Sequence, residues 1–322
     1  MTGKKVLFEK DLDTSSLARK QIGIVGYGAQ GRAQALNLRD SGFSPIVGVR
    51  AGKSFDRAVA DGMRAVSVAE AAGASDIVMV LTPDETQRDL LTAEVIPHTK
   101  PGAFLGFSTG FNVHFGLVDV PPNLKAFLVA PKGPGDILRM RFEQGSGIPA
   151  LVASLREDPE EISVALAYAK AIGCGRAAVI ETTFAEEAIA DLFGEQAVLC
   201  GGMVELMRSA FDVLVGRGYT PEVAYIECVS EVEYIAALIA RVGLARLGER
   251  ISSTALYGGA TRGSRLIDEG VRTRLSAILD EIEDGRFVDE FRKYAGSRGA
   301  RSVLRRDTSA LEAARSSLTA GR

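Results

Sequence analysis

No stretch of this sequence reaches the roughly 18 uninterrupted apolar residues that would read as a membrane-spanning helix. The opening Met-Thr-Gly-Lys-Lys-Val lacks the apolar run of a signal peptide, so a cytoplasmic location is expected. Neither sign of charge dominates: 38 Lys and Arg stand against 41 Asp and Glu, a net charge of −3. Nucleic acid and anionic membranes need a dominant basic surface, and none is indicated. The cysteines are few, Cys174, Cys200 and Cys228. They form no CxxC pattern and lie in apolar segments, which points to reduced core thiols rather than disulfides. There is no internal repeat and no low-complexity tract. The chain does have 322 residues with 46% hydrophobic content, enough for two ordinary cores, hence two domains.

Two pairs of acids stand out. Asp191 and Glu195 lie four residues apart, as do Glu227 and Glu231, each pair among apolar neighbours. On a helix that spacing puts both carboxylates on one face. Like charges on a partly buried face are costly unless a cation sits there. Two such helices would offer four oxygen donors, a set suited to hard divalent ions such as Mg²⁺. The plain alternative is two solvated faces.

Earlier in the chain, the apolar run 21–25 ends in Gly26-Tyr27-Gly28-Ala29-Gln30-Gly31, and a helix-like segment follows from Arg32 to Asp40. Strand, GxGxxG and helix form the phosphate-cradling turn of a dinucleotide fold. The next strand, 45–50, ends in Arg50, with Lys53 and Ser54 in the loop beyond. An acid there would accept from the ribose 2′-hydroxyl of NAD, whereas cations and a hydroxyl suit a 2′-phosphate, so NADPH is expected. Further α/β units are expected with strands in 76–84, 103–107, 126–130, 148–153 and 177–183, and a helix from about Asp158 to Ile172. Ligand contacts should gather in the loops at the strand ends, including Pro83, the stretch Ser108-Thr109-Gly110-Phe111-Asn112, and Pro131-Lys132-Gly133-Pro134-Gly135. Lys132 is placed to meet an anionic group, and Gly135 is a candidate cofactor contact. From Phe184 the pattern turns helical, over about 184–217, 221–247 and 264–284. The expected architecture is a Rossmann-like α/β domain over 1–183, then an all-α domain over 184–322. The tail from about Gly299 reads as mobile or loosely docked.

These residues resemble the ketol-acid reductoisomerases of branched-chain amino-acid biosynthesis, in the short form with one knotted helical C-terminal domain. The resemblance runs from Lys10 to about Asp268. It rests on Gly-Tyr-Gly-Ala-Gln-Gly at 26–31, Gly-Phe-Asn-Val-His-Phe-Gly at 110–116 and Val-Ala-Pro-Lys-Gly-Pro-Gly at 129–135. Most specific are Val-Ile-Glu-Thr-Thr-Phe at 179–184 and Asp-Leu-Phe-Gly-Glu-Gln-Ala-Val-Leu-Cys-Gly-Gly at 191–202. The resemblance implies two Mg²⁺ ions on Asp191, Glu195, Glu227 and Glu231, an active-site lysine at Lys132 and a substrate-contacting serine at Ser252. It also implies a homodimer or a larger assembly, and a two-step reaction on a 2-hydroxy-3-keto acid such as 2-acetolactate. A metal-assisted 1,2-alkyl shift comes first, then hydride delivery from NADPH. Lys132, Glu231 and Thr109 are the catalytic candidates.

The chain departs from the family pattern at Thr109, where a histidine is usual. A threonine can hydrogen-bond but cannot take a proton near neutral pH. Leu256 stands for a usual Glu, Ser230 for a frequent His and Glu233 for a frequent Lys, while Arg241-Val242 replaces a common Glu-Gly. Three readings are therefore carried: a working reductoisomerase, a diverged paralogue acting on another branched hydroxy-keto acid or keeping only the reductase step, and a non-catalytic NADPH-binding protein.

Overall fold

The computed structural model describes residues 5–295 and 308–320. By its internal contacts the chain divides into two units, 1–190 and 191–322. In the first, nine strands among the described residues form one sheet: β1 (Val6–Leu7), β2 (Ile22–Val25), β3 (Ile46–Gly48), β4 (Arg64–Val66), β5 (Ile77–Val80), β6 (Phe104–Phe107), β7 (Lys125–Pro131), β8 (Ala150–Ser154) and β9 (Val179–Glu181). The spatial order is β1-β9-β8-β7-β6-β5-β2-β3-β4. The six strands from β4 to β7 pair in parallel. Their order is that of the doubly wound dinucleotide fold, reversing between β2 and β5. Beyond them β7 pairs antiparallel with β8, β8 parallel with β9, and β1 antiparallel with β9.

Both faces of this sheet are covered, which is why its strands are near-continuous apolar runs. Alternate residues go to opposite cores. Ile22, Ile24, Ile77, Met79, Phe104 and Phe127 belong to one cluster, whereas Val25, Val78, Val80, Leu105, Phe107 and Leu128 belong to the other. Gly106 marks a tight point in the middle, since a Cβ there would lie 2.0 Å from Met79 Sδ. The helices of this unit are α1 (Ala29–Asp40), α2 (Lys53–Ala60), α3 (Val68–Ala74), α4 (Asp84–Leu90), α5 (Phe111–His114), α6 (Gly135–Glu143) and α7 (Pro159–Ala171). The expected helix over 158–172 is α7, with Asp158 as its N-cap, accepting from Glu160 N. The edge strands β1 and β4 are not among the expected strands. They are two and three residues long, and Val6 and Arg64 are exposed, so they carry no readable period.

Helix α8 (Phe184–Gly194) begins in the first unit. Phe184 is buried and meets Phe107 edge-on at 6.3 Å between centroids. Thr183-Phe-Ala-Glu186 has the spacing of a capping box, and Thr183 Oγ1 accepts from Glu186 N at 3.1 Å. The side chain of Glu186 instead accepts from Thr182 Oγ1 at 2.6 Å.

The second unit is helical: α9 (Gly202–Gly216), α10 (Pro221–Tyr225), α11 (Val232–Val242), α12 (Ser253–Leu266), α13 (Glu269–Glu283), α14 (Arg286–Ala295) and α15 (Ser309–Thr319). Two π-helical turns interrupt it, Glu195–Leu199 and Ile226–Ser230. The expected continuous helix over 264–284 breaks at Ile267–Asp268, where Asp268 caps α13 by accepting from Val271 N. Of the expected mobile tail, 299–307 lie outside the described residues. Residues 309–319 form α15, whose Ala314 is buried with Phe211 and Ala224 in one small cluster. The expectation of three core thiols holds for Cys174, which is buried with its pKa pushed up to about 12 by that burial. Cys200 is exposed and Cys228 half-buried in the single chain. Among the described residues no helix is long and apolar enough to cross a membrane.

The cap of α8 makes a direct test. Thr183→Ala should lower stability by about 1 kcal/mol and the melting temperature by roughly 2–4 °C. An unchanged melt would mean that Thr183 does not hold this helix start.

Candidate active site

A cleft of about 1230 Å³ opens at the carboxyl ends of β2, β3, β5 and β6, around the point where the strand order reverses. Its floor is the glycine-rich turn. Gly26 has φ +99°, and a Cβ on it would lie 2.7 Å from Leu81 O, so only glycine is free of strain there. Gly28 faces open space, and a Cβ on it would have nothing within 4 Å. Gly31 lies behind the turn, where a Cβ would stand 2.1 Å from Gly26 O. The first turn of α1 carries no acid, and Gly28 gives it no side-chain cap. Its N–H groups and dipole therefore favour an anion. Tyr27 and Gln30 also line the cleft, as do Arg50 and Pro83 at strand ends and Lys53 and Ser54, which lie not in a loop but in the first turn of α2. Thr82 Oγ1, just beyond β5, is buried with no hydrogen-bond partner among the described residues. A buried hydroxyl in that state awaits a hydrogen bond. The open glycine, uncapped helix start and orphaned hydroxyl all fit a dinucleotide.

Gly135, the first residue of α6, lies against the start of α1 beside the glycine-rich turn. A Cβ on it would fall 2.3 Å from Ala29 O, and its bareness lets the start of α6 abut the start of α1. The same contact brings the lysine loop against the turn, where Gln30 Nε2 donates to Gly133 O at 2.9 Å. Gln34, one turn along α1 and fully buried, accepts from Tyr168 Oη at 2.9 Å and donates to Gln30 Oε1 and Ser108 Oγ at 3.1 Å each. Ser108 Oγ in turn donates to Val129 O at 3.0 Å. Buried polar groups so fully paired fix the loops that carry them.

Ser108 and Thr109 line the inner end of the cleft. Thr109 Oγ1 accepts from Phe111 N at 3.2 Å. Next to them is a residue the sequence reading missed. Glu187 of α8 is completely buried. Its Oε1 accepts from Lys132 Nζ at 2.6 Å and its Oε2 from Gly110 N at 2.6 Å. Gly110 must be glycine for this, because a Cβ would stand 2.3 Å from Phe184 O. The signal was available: Glu187, Asp191 and Glu195 continue one four-residue spacing, again among apolar neighbours. Lys132 thus meets an anion belonging to the protein itself, besides any it offers to a ligand.

The four remaining acids lie in the helical unit. Asp191 is near the end of α8, and Glu195 starts the first π-helical turn. Glu227 lies within the second such turn and Glu231 follows it. Widened turns of this kind recur at functional sites. Here glycines permit the first one: Cys200 N donates to Glu195 O at 2.7 Å, and a Cβ on Gly201 would lie 1.9 Å from Gln196 O. The carboxylate oxygens are the right donors for hard divalent ions. Within the single chain, however, the described residues show no group of three or more His, Cys, Asp or Glu placed to hold a metal. Ser252 is exposed and N-caps α12, accepting from Ala255 N at 3.1 Å.

Comparison with known proteins covers nearly all of this. Residues 16–178 match the family described as acetohydroxy acid isomeroreductase, NADPH-binding domain, and residues 184–319 the ketol-acid reductoisomerase C-terminal domain. The fold superposes on an NADH-preferring ketol-acid reductoisomerase from an uncultured archean with a TM-score of 0.94, at 38% identity over 98% of each chain. More distant likenesses show the fold alone. A semialdehyde dehydrogenase NAD-binding protein from Cupriavidus necator has a TM-score of 0.64 at 19% identity, covering 83% of this chain and 99% of that one. A pyrroline-5-carboxylate reductase from Coxiella burnetii has 0.56 at 14%, covering 82% and 98%. With both domains matched in sequence and the whole chain matched in fold, this protein belongs to the ketol-acid reductoisomerase family of oxidoreductase-isomerase enzymes.

Proposed function

We propose that the protein converts a 2-hydroxy-3-keto acid such as 2-acetolactate in two steps, an alkyl shift and a reduction by NADPH, within branched-chain amino-acid biosynthesis in the cytoplasm. The observation that carries this reading is an anchored lysine, Lys132 on buried Glu187, beside the loop that closes the inner end of a dinucleotide cleft. NADPH is favoured over NADH by Arg50, Lys53 and Ser54 at the cleft, since cations and a hydroxyl suit a 2′-phosphate. The NADH preference of the archean relative makes this choice one for direct measurement.

Asp191, Glu195, Glu227 and Glu231 would hold two Mg²⁺ ions, which when bound polarise a carbonyl and ease loss of a neighbouring hydroxyl proton. The protein's own groups do the rest. Lys132 keeps its positive charge toward developing negative charge on the substrate, and Glu187 prevents its ammonium from swinging away. Thr109 orders a hydrogen bond at the nicotinamide end without exchanging protons. The turn at 26–31 and Thr82 orient the dinucleotide.

A second copy of the chain is part of this reading. Among the described residues of the helical unit the buried apolar side chains are few, Phe211, Ala224, Ile282, Val288 and Ala314, while Val213, Leu244, Tyr257 and Leu266 are each more than 60% exposed. Apolar area of that extent calls for a partner. A homodimer or larger homo-oligomer would cover it, and would supply carboxylates that one chain does not bring together.

Three measurements test the proposal. With Mg²⁺ present, NADPH oxidation is expected with both 2-acetolactate and 3-hydroxy-3-methyl-2-oxobutanoate, and a chelator should abolish the first. Turnover of the second alone would mean that the alkyl shift has been lost, and turnover of neither would sink the assignment. Glu187→Gln should keep the bond to Gly110 but remove the buried counter-charge that Glu187 gives Lys132, lowering kcat about ten- to a hundredfold and stability by about 1–2 kcal/mol. Wild-type kcat would show that the pair is idle. Thr109→His should add an ionisation near pH 6.5 to the profile of kcat, and an unchanged profile would place residue 109 away from the reacting atoms.

A further inference from the structure

Helix α2 presents Lys53 and Ser54 to the cleft at its first turn, yet little apolar contact holds it. Ala58 is its one buried residue, and Phe55 is half-buried against the core. Its far end is fastened by charge instead. Asp61, directly after the helix, accepts from Arg32 Nε at 2.7 Å and Arg32 Nη2 at 2.9 Å. It also accepts from Tyr27 Oη at 3.0 Å, and its backbone oxygen takes Arg39 Nη1 at 2.9 Å. Its side chain is 17% exposed. A carboxylate at a helix C-terminus faces the negative end of the dipole and is disfavoured unless cations surround it. Two arginines of α1 do so here, and the Arg32 hydrogen bonds hold the Asp61 carboxyl below the usual carboxylate range.

The donors come from the part of the chain that cradles the pyrophosphate. Tyr27 sits between Gly26 and Gly28 and is 2% exposed, and Arg32 is on the first turns of α1. A planar guanidinium paired through two N–H groups fixes direction as well as distance. The opposite end of α2, about 12 Å away at 1.5 Å per residue, is where the ribose end of a dinucleotide would meet Lys53 and Ser54.

We propose that Asp61 is a positioning residue for the adenosine end of the cofactor: it fixes the far end of α2 to the glycine-rich turn and thereby sets how the cleft discriminates a 2′-phosphate from a 2′-hydroxyl. This rests on the reading of the cleft as a dinucleotide site, but not on which of the two forms is preferred. With the far end released, Lys53 and Ser54 lose their fixed distance from the turn, and a shift of about 1 Å is enough to degrade a charged contact.

The experiment is a titration of NADPH and NADH onto the full-length wild type and Asp61→Asn, followed by nucleotide fluorescence. The ratio of the two dissociation constants is expected to move toward one by about fivefold or more in the variant. Asp61→Glu, which keeps the charge, is expected to recover part of the wild-type ratio. Arg32→Lys, which keeps charge but loses the paired geometry, should move the ratio the same way by less, so the test does not hang on the folding of one variant. Equal loss of affinity for both dinucleotides, with the ratio unchanged, would show that Asp61 is merely structural and overturn the proposal alone. Failure of the wild type to bind either dinucleotide would overturn the cleft assignment, and the proposal with it.

Discussion

A single buried carboxylate organises the candidate active site. Glu187 has no access to solvent, and an ionised group so placed is tolerable only with a counter-charge and full hydrogen bonding. Lys132 supplies the first and, with Gly110 N, the second. The requirement runs outward through the structure. Thr183 must start α8 where it does, Phe184 must seat that start on β6 through Phe107, and Gly110 must lack a side chain. Each is a local choice that follows from keeping one negative charge out of water.

The same loops are held from the opposite side by amides. Gln30 and Gln34 place neutral hydrogen bonds between the cofactor turn, Ser108 and the lysine loop. Charge is thus concentrated at Lys132 and Glu187, and the positioning around them is done by groups that do not titrate.

Much of this is legible in the sequence. The central strands are, because a sheet covered on both faces needs unbroken apolar runs, and so are the glycine-rich turn and the change to helical periodicity after Phe184. The edge strands β1 and β4 are not, since strands of two or three residues have no period to read. Gly135 reads as a ligand contact in the sequence, but the approach of α6 to α1 that also requires a bare backbone there is a contact across about a hundred residues of chain and leaves no local signal. The partners of Lys132 and of Asp61 are hidden for the same reason. The acids at 191, 195, 227 and 231 are visible by spacing, but spacing alone does not reveal that Glu195 and Glu227 lie on widened turns, nor that Glu187 extends the first series.

The small cluster of Phe211, Ala224 and Ala314 bears on how the helical unit forms. Phe211 and Ala224 lie on successive helices, but Ala314 joins them from roughly a hundred residues further along, and a loop of that length is closed only against a substantial loss of chain entropy. Helices normally assemble fast because their contacts are local. Here α15 reaches α10 from about ninety residues further along, so the unit includes, among its local helical contacts, one non-local closure of the kind that slows folding.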